Sequence, residues 1–239
     1  MKQQQLLGYM RRALEDYHMI GDGDRIAVGV SAGKDSLTLL YGLVLLSRFY
    51  PQQFTLEAIT VDPGYEGGMQ LEPVREFCER LGVHYTVIPT RIAEIVFQER
   101  KETNPCSLCA NLRKGAFNRK VKELGCNKVA YAHHFDDMVD TFMMSLIYEG
   151  RLHCYAPVTY LDRSGLTLIR PLMYVREADI ISFTEENALP VQKNPCPVDK
   201  HTKREYVKQL LAGMEAETPG VRERVFRAVI KAGDTITGV

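Results

Sequence analysis

The sequence predicts an α/β fold, in which a twisted parallel sheet carries helices on both faces. Short apolar segments typical of strands alternate with longer segments of helical periodicity over the first two thirds of the chain. Such alternation is typical of parallel strands joined by helices. The 239 residues, of which 25% are charged, fit one main domain of ordinary globular composition. We expect an N-terminal helix before this sheet and a helical C-terminal extension after it.

The elements are predicted in order from these patterns. An amphipathic helix over 5–19 comes first. Strands follow at 26–30, 54–61, 83–88 and 128–132, and they alternate with helices at 35–48, 70–81, 107–124 and 136–149. After residue 160 the pattern changes to a strand at 166–169 and helices at 177–187, 203–214 and 221–232. Because ligands bind at the carboxyl ends of parallel strands, candidate site residues are sought there.

Composition narrows the function classes. No apolar run is long enough to cross a bilayer, and the N-terminal residues are polar, so we expect a cytoplasmic protein without a membrane partner. The chain has 30 basic and 30 acidic side chains, so any nucleic-acid site would be a local patch. Its 6 cysteines are too few for a disulfide scaffold of this size, and a close pair indicates metal or redox chemistry in a reducing compartment.

The loop after the first strand has the composition of a phosphate site. It consists of Ser31, Ala32, Gly33, Lys34, Asp35 and Ser36, and it leads into a helix. Small residues let backbone N–H groups approach an anion at a helix N-terminus, and Lys34 would neutralise its charge. Ser31 and Ser36 would donate hydrogen bonds, and Asp35 would orient the loop or help to hold Mg²⁺. The spacing is not that of Walker A, and the alternative is an ordinary turn in which Ser31 or Asp35 caps the helix.

A second polar run follows the strand predicted at 128–132. His133 and His134 precede Phe135, Asp136 and Asp137 at the mouth of the next helix. Two carboxylates beside a phosphate loop would repel a triphosphate unless they coordinate Mg²⁺. We therefore predict an ATP-binding and magnesium role for this run, with Asp137 ahead of Asp136 as the critical acid. The alternative is that the acids only complement the helix dipole.

Asp62 ends the second predicted strand and is followed by Pro63 and Gly64. This sequence is typical of a plain turn. At the carboxyl end of a neighbouring strand it can also wall an adenosine pocket, and the two interpretations are about equally supported. Asp62 is therefore retained as a candidate site residue.

Cysteines supply the second strong signal. Cys106 and Cys109 stand three positions apart at a predicted helix start, where two thiolates can share one metal, and Cys196 follows an Asn-Pro pair as Cys106 does. Three thiolates suit an iron–sulfur cluster with one open iron. Zn²⁺, with His153 or His201 as fourth ligand, is the runner-up. Of the other cysteines, Cys78 and Cys126 are interpreted as small buried residues, whereas Cys154 could be a further thiol near the site.

Two basic clusters flank the cysteines. The first comprises Arg113, Lys114, Arg119, Lys120 and Lys122, and the second comprises Lys200, Lys203, Arg204 and Lys208. They are either solvated helix faces or the path of an RNA backbone. A third group, made of Arg222, Arg224, Arg227 and Lys231, would extend the patch or solvate a helix.

These motifs together resemble a known family. Ser-x-Gly-Lys-Asp-Ser is similar to the PP-loop of adenine nucleotide α-hydrolase-like enzymes, which split ATP between its α and β phosphates, with Ala32 where glycine is usual. Pro-Cys-Ser-Leu-Cys at 105–109, Leu-Arg-Lys-Gly at 112–115, His-x-x-Asp-Asp, Ile-Arg-Pro-Leu at 169–172, Arg-Glu at 176–177 and a late Pro-Cys complete the pattern. In order and spacing they resemble the tRNA 2-thiocytidine synthetase family over most of the chain.

The resemblance implies an ATP-dependent sulfurtransferase that releases AMP and pyrophosphate. ATP would adenylate C2 of cytidine 32 in tRNA, and Cys106, Cys109 and Cys196 would hold a [4Fe-4S] cluster that passes sulfur to the base. Lys34, Asp137 and Asp62 are the candidate catalytic residues. The expected partners are tRNA, a sulfur donor such as a cysteine desulfurase, and a second copy in a homodimer.

The implied organisation is an N-terminal helix over 1–24, a PP-loop ATP-binding domain with a Cys-x-x-Cys insertion over 25–160, and a C-terminal extension of the same unit over 161–239. Two alternatives stay open. One is a PP-loop sulfurtransferase or ligase that acts on a different RNA base or on a small molecule. The other is a nucleotide-binding module with structural zinc and no turnover.

Overall fold

A six-stranded sheet forms the centre of the protein. The computed structural model describes residues 1–100, 105–193, 195–196 and 203–237. The strands are β1 (Asp24–Gly29), β2 (Phe54–Asp62), β3 (His84–Pro89), β4 (Lys128–Ala130), β5 (Val158–Leu161) and β6 (Leu166–Ile169). Their spatial order is β3-β2-β1-β4-β6-β5. All neighbouring pairs are parallel except β5 with β6. The predicted parallel sheet is confirmed, and β5 is an antiparallel edge strand that the sequence did not predict.

The helices surround this sheet. They are α1 (Gln3–Asp16), α2 (Lys34–Leu46), α3 (Glu72–Leu81), α4 (Ile92–Glu94), α5 (Pro105–Glu123), α6 (Phe135–Met144), α7 (Glu177–Glu186), α8 (Lys203–Glu217), α9 (Val221–Ala232) and α10 (Asp234–Thr237). Each of α4 and α6 continues into one π-helical turn, Ile95–Glu99 and Ser145–Glu149 respectively. Among the described helices, none is both long and apolar enough to cross a membrane.

Three predicted boundaries need correction. The first helix ends at Asp16 rather than at residue 19, because the chain reverses through His18 at a φ of 46°. The strand predicted over 128–132 ends at Ala130, because the following residues turn into the mouth of α6. The helix predicted over 136–149 changes its hydrogen-bond spacing at Ser145 and ends at Gly150, which has a φ of 62°.

Side chains of β1 alternate between two apolar cores. Ile26 and Val28 are fully buried in the larger core, which α1, α2, α6 and α7 complete. Ala27 points to the opposite face, where Phe117 and Val121 of α5 cover the sheet. Burial on both faces explains why β1 is nearly continuously apolar. The predicted covering of both faces by helices is therefore confirmed.

Strand order places the candidate site. β1 lies between β2 and β4, so the connections that leave β1 and β4 at their carboxyl ends run in opposite directions. Such a switch point opens a crevice in an α/β sheet. The loop at 31–33 follows β1, the polar run from His133 follows β4, and α8 and α9 pack against α6 on the same side.

Candidate active site

The phosphate loop is closed around the hydroxyl of Ser36. This hydroxyl donates to the carbonyl of Gly33 over 2.9 Å and accepts from the backbone N–H of Ser31 over 3.1 Å. The hydroxyl of Ser31 donates to it as well, over 3.2 Å. Ser36 is only 4% exposed, so it acts within the loop. These bonds fix the backbone of the loop against the first turn of α2.

Ala32 occupies the left-handed conformation that glycine usually provides. Its φ is 61°, and its side chain is only 1% exposed. Its carbonyl accepts a hydrogen bond of 2.9 Å from the backbone N–H of Gln192. A left-handed alanine costs roughly 1–2 kcal/mol. The substitution of alanine for the usual glycine therefore preserves the turn and stores a small strain in it.

Lys34, at the start of α2, lies between two carboxylates. Its Nζ is 2.9 Å from Oδ1 of Asp35 and 3.0 Å from Oε1 of Glu177. Burial alone would lower the pKa of Lys34. The two carboxylates have a larger combined effect in the opposite direction, so the pKa of Lys34 is raised. Burial likewise opposes the charge on Glu177, yet hydrogen bonds from Lys34 and Lys208 lower its pKa to about 2. The loop therefore presents a charged ammonium group that is anchored to α7.

The mouth of α6 is built by a reciprocal cap. Nδ1 of His134 accepts from the backbone N–H of Asp137 over 3.4 Å, and Oδ2 of Asp137 accepts from the backbone N–H of His134 over 3.2 Å. Nε2 of His134, which is 3% exposed, lies 3.8 Å from Oδ1 of Asp35. The structure therefore brings the β1 loop and the β4 loop together, as the sequence predicted.

Asp137 and Asp136 have different surroundings. Oδ1 of Asp137 accepts from Nη1 of Arg204 in α8 over 2.8 Å. Asp136 uses Oδ2 to accept from the first backbone N–H of α7 over 2.7 Å, and its Oδ1 lies 3.3 Å from Nη1 of Arg222. The same guanidinium nitrogen lies 3.3 Å from Oδ1 of Asp140, which is fully buried. Asp136 thus links α6, to which it belongs, with α7 and α9.

His133 is half-buried beside this mouth. Its Nδ1 accepts from Nε of Arg170 over 3.1 Å, and its ring stacks on Tyr155 with centroids 4.8 Å apart. Burial, followed by the neighbouring charge of Arg170, lowers the pKa of His133 to about 4. His133 is therefore neutral at neutral pH, with Nδ1 as the acceptor.

Sequence reasoning gave no role to Arg170. Its side chain is 5% exposed, donates to the backbone carbonyl of Ala156 and to Oγ1 of Thr159, and lies 4.6 Å over the ring of Tyr155. Burial lowers its pKa to about 10. The signal that could have indicated this role is a single arginine directly after an apolar strand and before proline.

Asp62 forms a tight turn at the end of β2. Its Oδ1 accepts from the backbone N–H of Gly64 over 2.9 Å, and its carbonyl accepts from the backbone N–H of Thr90 over 3.0 Å. Gly64 has a φ of 74°, and a Cβ there would lie 2.5 Å from the carbonyl oxygen of Thr90. Asp62 therefore forms the tight turn that its sequence context indicates, and a role for Asp62 beside adenosine stays a prediction.

Tyr65 connects two cysteines that are far apart in sequence. Its hydroxyl is 4.0 Å from Sγ of Cys109, at the start of the second turn of α5, and it also interacts with Cys196. Burial and these two thiols raise the pKa of Tyr65. Cys106, one turn before Cys109, is exposed. Sequence reasoning missed Tyr65.

As they stand, no three histidine, cysteine, aspartate or glutamate side chains of the described residues are close enough to hold a metal ion. The chemistry of the donor set nevertheless fits a cluster, because Cys106 and Cys109 lie where the helix dipole favours thiolates and Cys196 shares a neighbour with Cys109. Their assignment as ligands stays a prediction. His153 is exposed, and His201, the other proposed zinc ligand, lies outside the described residues.

The other cysteines are core residues. Cys78 and Cys126 are buried, as the sequence indicated, and burial raises the pKa of Cys78 to about 11. Cys154 is fully buried, and its thiol contacts the carbonyl of Met138 over 3.5 Å. Burial raises its pKa to about 11 as well. Cys154 is therefore a protonated packing residue and not the additional reactive thiol considered above.

Two cations of the second basic cluster and one of the third group point inward. Arg204 pairs with Asp137, Lys208 lies 3.0 Å from Glu177, and Arg222 reaches the buried Asp140. Lys203 lies over the ring of Tyr148, 4.8 Å from its centroid. Lys200 falls outside the described residues. These cations hold the C-terminal helices against the site, a role that the sequence alone did not distinguish from RNA binding.

Known proteins resemble this chain in both sequence and fold. A family model described as the PP-loop domain matches residues 6–214. The tRNA-cytidine(32) 2-sulfurtransferase of Geobacter sulfurreducens is 39% identical over 221 residues, which cover 91% of this chain and 86% of that protein. The chain belongs to the tRNA-cytidine(32) 2-sulfurtransferase family of PP-loop proteins. A further family member, from Pelobacter propionicus, is also 39% identical, with 91% of this chain and 82% of that protein covered.

Solved structures resemble this member of the PP-loop family in fold. The U34-tRNA thiolase NcsA from Methanococcus maripaludis, solved with its [4Fe-4S] cluster, superimposes with a TM-score of 0.78 at 26% identity. The match covers 95% of this chain and 77% of NcsA. The NH3-dependent NAD synthetase of Campylobacter jejuni, at 16% identity and a TM-score of 0.50, shares the fold alone. The predicted family, fold class and enzyme type, a PP-loop sulfurtransferase, are therefore confirmed.

Proposed function

We propose that this protein uses ATP to replace the C2 oxygen of a cytidine in tRNA, at position 32, with sulfur. The observation that carries the proposal is that two groups of candidate residues follow the carboxyl ends of neighbouring strands, at the same edge of the sheet. Lys34 and Asp137 lie at the carboxyl ends of β1 and β4, and Tyr65 brings Cys109 and Cys196 together beyond the end of β2. The family relatives are named for this reaction, and NcsA is named as a thiolase of a different tRNA position.

The nucleotide half of the site would act first. Backbone N–H groups of the loop at 31–33 and the ammonium group of Lys34 would bind the phosphates of ATP. The C2 carbonyl oxygen of the cytidine attacks the α phosphorus, the bond between the α phosphorus and the bridging oxygen breaks, and pyrophosphate leaves. The base is then adenylated, and a sulfur nucleophile from the donor adds at C2 while AMP leaves with the former carbonyl oxygen.

Carboxylates at the mouth of α6 fit Mg²⁺, which prefers oxygen ligands. Both oxygens of each aspartate have partners: Asp136 contacts Arg222 and the N-terminus of α7, and Asp137 contacts the backbone N–H of His134 and the guanidinium of Arg204. Arg204 is more exposed than Arg222, so it is the partner that a bound cation could displace. We therefore assign Asp137, with Asp35 beside it, as the magnesium ligand. When bound, Mg²⁺ supplies positive charge to the phosphates. His133 contributes to this site indirectly. Its neutral ring accepts a hydrogen bond from Arg170, which fixes the loop between β4 and α6.

Cys106, Cys109 and Cys196 would hold the [4Fe-4S] cluster. Three thiolates leave one iron without a protein ligand, and when bound the cluster supplies a point at which sulfur can be delivered. The burial of Cys109 and the half-buried position of Cys196 limit access of water to this part of the site. Sulfur would come from a donor such as a cysteine desulfurase.

Thiolation by the anaerobically purified protein tests the proposal. Unmodified tRNA, ATP, Mg²⁺ and a sulfide source should yield AMP, pyrophosphate and 2-thiocytidine in digested nucleosides. Cys106→Ser, Cys109→Ser and Cys196→Ser should each abolish 2-thiocytidine but retain ATP binding. Cys78→Ala, a matched cysteine variant in the core, should retain both. Thiolation by Cys196→Ala would overturn the ligand assignment.

Two further readouts separate the alternatives. A brown protein that air bleaches contains an iron–sulfur cluster, whereas a colourless protein with one equivalent of zinc supports the runner-up. Nucleosides from a deletion strain identify the base, because loss of a thiouridine instead of 2-thiocytidine would contradict the proposed substrate. Absence of tRNA-stimulated AMP release would favour a small-molecule substrate or a binding module.

A further inference from the structure

The two basic clusters differ in what their charges contact. Arg204, Lys208 and Arg222 lie on the C-terminal helices, and all three pair with carboxylates at the mouth of α6 or at the start of α7. In contrast, Lys114 and Lys122 of α5 form no ion pair with any residue that the structure describes. Lys114 and Lys122 are therefore among the cations that remain available to neutralise an external anion.

Lys114 and Lys122 lie on the same side of α5. Lys114 and Lys122 are two turns apart, and with Asn111 and Asn118 they line one wall of a groove of about 870 Å³. Lys120 lines a different groove on the other side of the helix, where it pairs with Glu123. The larger groove therefore carries Lys114, Lys122 and Arg119, and Arg119 also lines the smaller one.

The opposite wall of this groove is the hairpin that joins β5 to β6. It contributes Arg163, a further cation without an ion pair among the described residues, and Tyr160, whose side chain is 59% exposed. Asp162 is the acid on that wall. An exposed aromatic ring beside unpaired cations matches the chemistry of single-stranded RNA, because cations follow the phosphates and the ring stacks an unpaired base.

The end of the groove at Lys114 is the one nearer to the cysteines, whereas the β5–β6 hairpin lies at the amino-terminal edge of the sheet, because it precedes β6, which is parallel to β4. Lys114 is five residues beyond Cys109, which corresponds to about 8 Å along the axis of α5. Lys122 lies about 12 Å further along the same axis. A nucleic-acid backbone in the groove therefore passes near Cys109 and continues away from the nucleotide loop.

We propose that the groove between α5 and the β5–β6 hairpin binds the phosphate backbone of the RNA substrate, with Tyr160 stacking on an unpaired base. This assignment rests on the proposed function, since it specifies where that substrate is held. It also implies that the C-terminal basic cluster is not part of the RNA path.

A charge-matched pair of triple variants tests the assignment. The first variant combines Lys114→Gln, Lys122→Gln and Arg163→Gln. The second combines Lys120→Gln, Arg151→Gln and Arg227→Gln, which remove the same number of charges from cations paired with Glu123, Glu149 and Glu223. Binding of a fluorescent tRNA transcript is measured between 50 and about 300 mM salt, and thermal unfolding checks that both variants fold.

The groove variant should bind tRNA at least about tenfold more weakly near 0.15 M salt, and the slope of log K against log salt should shrink by about 2. The matched variant should stay close to wild type. ATP affinity should be unchanged in both, and the loss of thiolation should appear in KM for tRNA rather than in kcat. Tyr160→Ala should weaken tRNA binding about tenfold, whereas Tyr160→Phe, which keeps the aromatic ring, should bind tRNA as the wild type does.

Other outcomes have distinct meanings. Unchanged tRNA binding and salt slope in the groove variant would overturn the assignment and leave the proposed function intact. Unchanged tRNA binding with lost binding of a purified cysteine desulfurase would overturn it in favour of a protein partner. If the wild-type protein itself fails to bind tRNA, the proposed function fails, and this assignment fails with it.

Discussion

The guanidinium of Arg204 donates to the carboxylate of Asp137 over 2.8 Å, which joins α8 to the mouth of α6. A second nitrogen of the same side chain reaches Oγ1 of Thr141, one turn further along α6, at 3.3 Å. Asp137 is also the third residue of α6, and its carboxylate completes the capping box with His134, the N-cap residue. The proposed magnesium ligand is therefore held by its own helix and by a helix of the C-terminal extension.

Replacement of Arg204 tests the function of this contact. Arg204→Ala should lower AMP formation at least tenfold, which corresponds to about 1.4 kcal/mol of activation free energy, because α8 loses its contact beside the phosphates. The free energy of unfolding should fall by only about 1 kcal/mol, since the pair is partly exposed. Arg227→Ala, which removes an exposed arginine of α9, is the control and should change neither quantity. Unaltered AMP formation in Arg204→Ala would contradict this role.

Substitutions of Ala32 test the strained loop. Ala32→Gly should change the free energy of unfolding by less than about 1 kcal/mol, because relief of the left-handed strain is offset by a more flexible unfolded chain and a lost buried methyl group. Ala32→Val should lose at least about 2 kcal/mol and bind ATP poorly, since a β-branched residue disfavours this conformation. Urea denaturation and ATP titration measure both effects. Equal stability of the two variants would show that the backbone conformation at residue 32 is not selected.

Gly64 and Gly67 form a matched pair in the loop after β2. Both have positive φ, 74° and 86°, but a Cβ at Gly64 would clash with the carbonyl of Thr90, whereas a Cβ at Gly67 meets nothing within 4 Å. Gly64→Ala should lower the free energy of unfolding by about 2–3 kcal/mol, and Gly67→Ala by about 1 kcal/mol. Chemical denaturation of both variants separates the clash from the backbone strain. Equal losses of stability in the two variants would show that the turn at Asp62 shifts to relieve the clash with Thr90.

The lowered pKa of Glu177 predicts that the protein loses stability at acid pH. Its pKa falls from 4.5 to about 2 on folding, because Lys34 and Lys208 outweigh the effect of burial. The unfolded chain therefore binds the proton more readily between these values, so the contribution of Glu177 is full above about pH 4.5 and is lost as the pH falls toward 2. Glu177→Gln should flatten the loss of stability in this window, whereas Glu185→Gln, at an exposed position of α7, should not. Thermal unfolding from pH 7 to pH 2.5 measures the difference, and parallel curves for wild type and Glu177→Gln would refute the assignment.

Local sequence patterns determined most of the fold. Apolar segments such as β1 and the helical periodicity of α2 are local properties, so their alternation predicted the parallel sheet and the edge that carries the site. β5 escaped prediction because it is short and depends on pairing with β6. The phosphate loop, the acidic run and the cysteine pair were recognisable because each needs particular residue types at a fixed spacing.

Charges at the surface could not be assigned in this way. The basic residues of α5 and α8 look alike in the sequence. Only their packing shows that Arg204 and Lys208 pair with carboxylates from distant segments, whereas Lys114 and Lys122 have no ion pair within the part of the chain that the structure describes. The same holds for Tyr65, which joins Cys109 to Cys196.

The sequence by itself therefore determined the chemistry of this protein: an α/β sheet with a phosphate loop, an acidic helix mouth and three candidate thiol ligands. The tertiary structure decided which side chains are engaged with one another, because an ion pair or a shared buried neighbour depends on distances between segments far apart in the chain. It placed His133 beside Arg170, engaged Asp136 with α7 and α9, and paired Asp137 with Arg204 of α8.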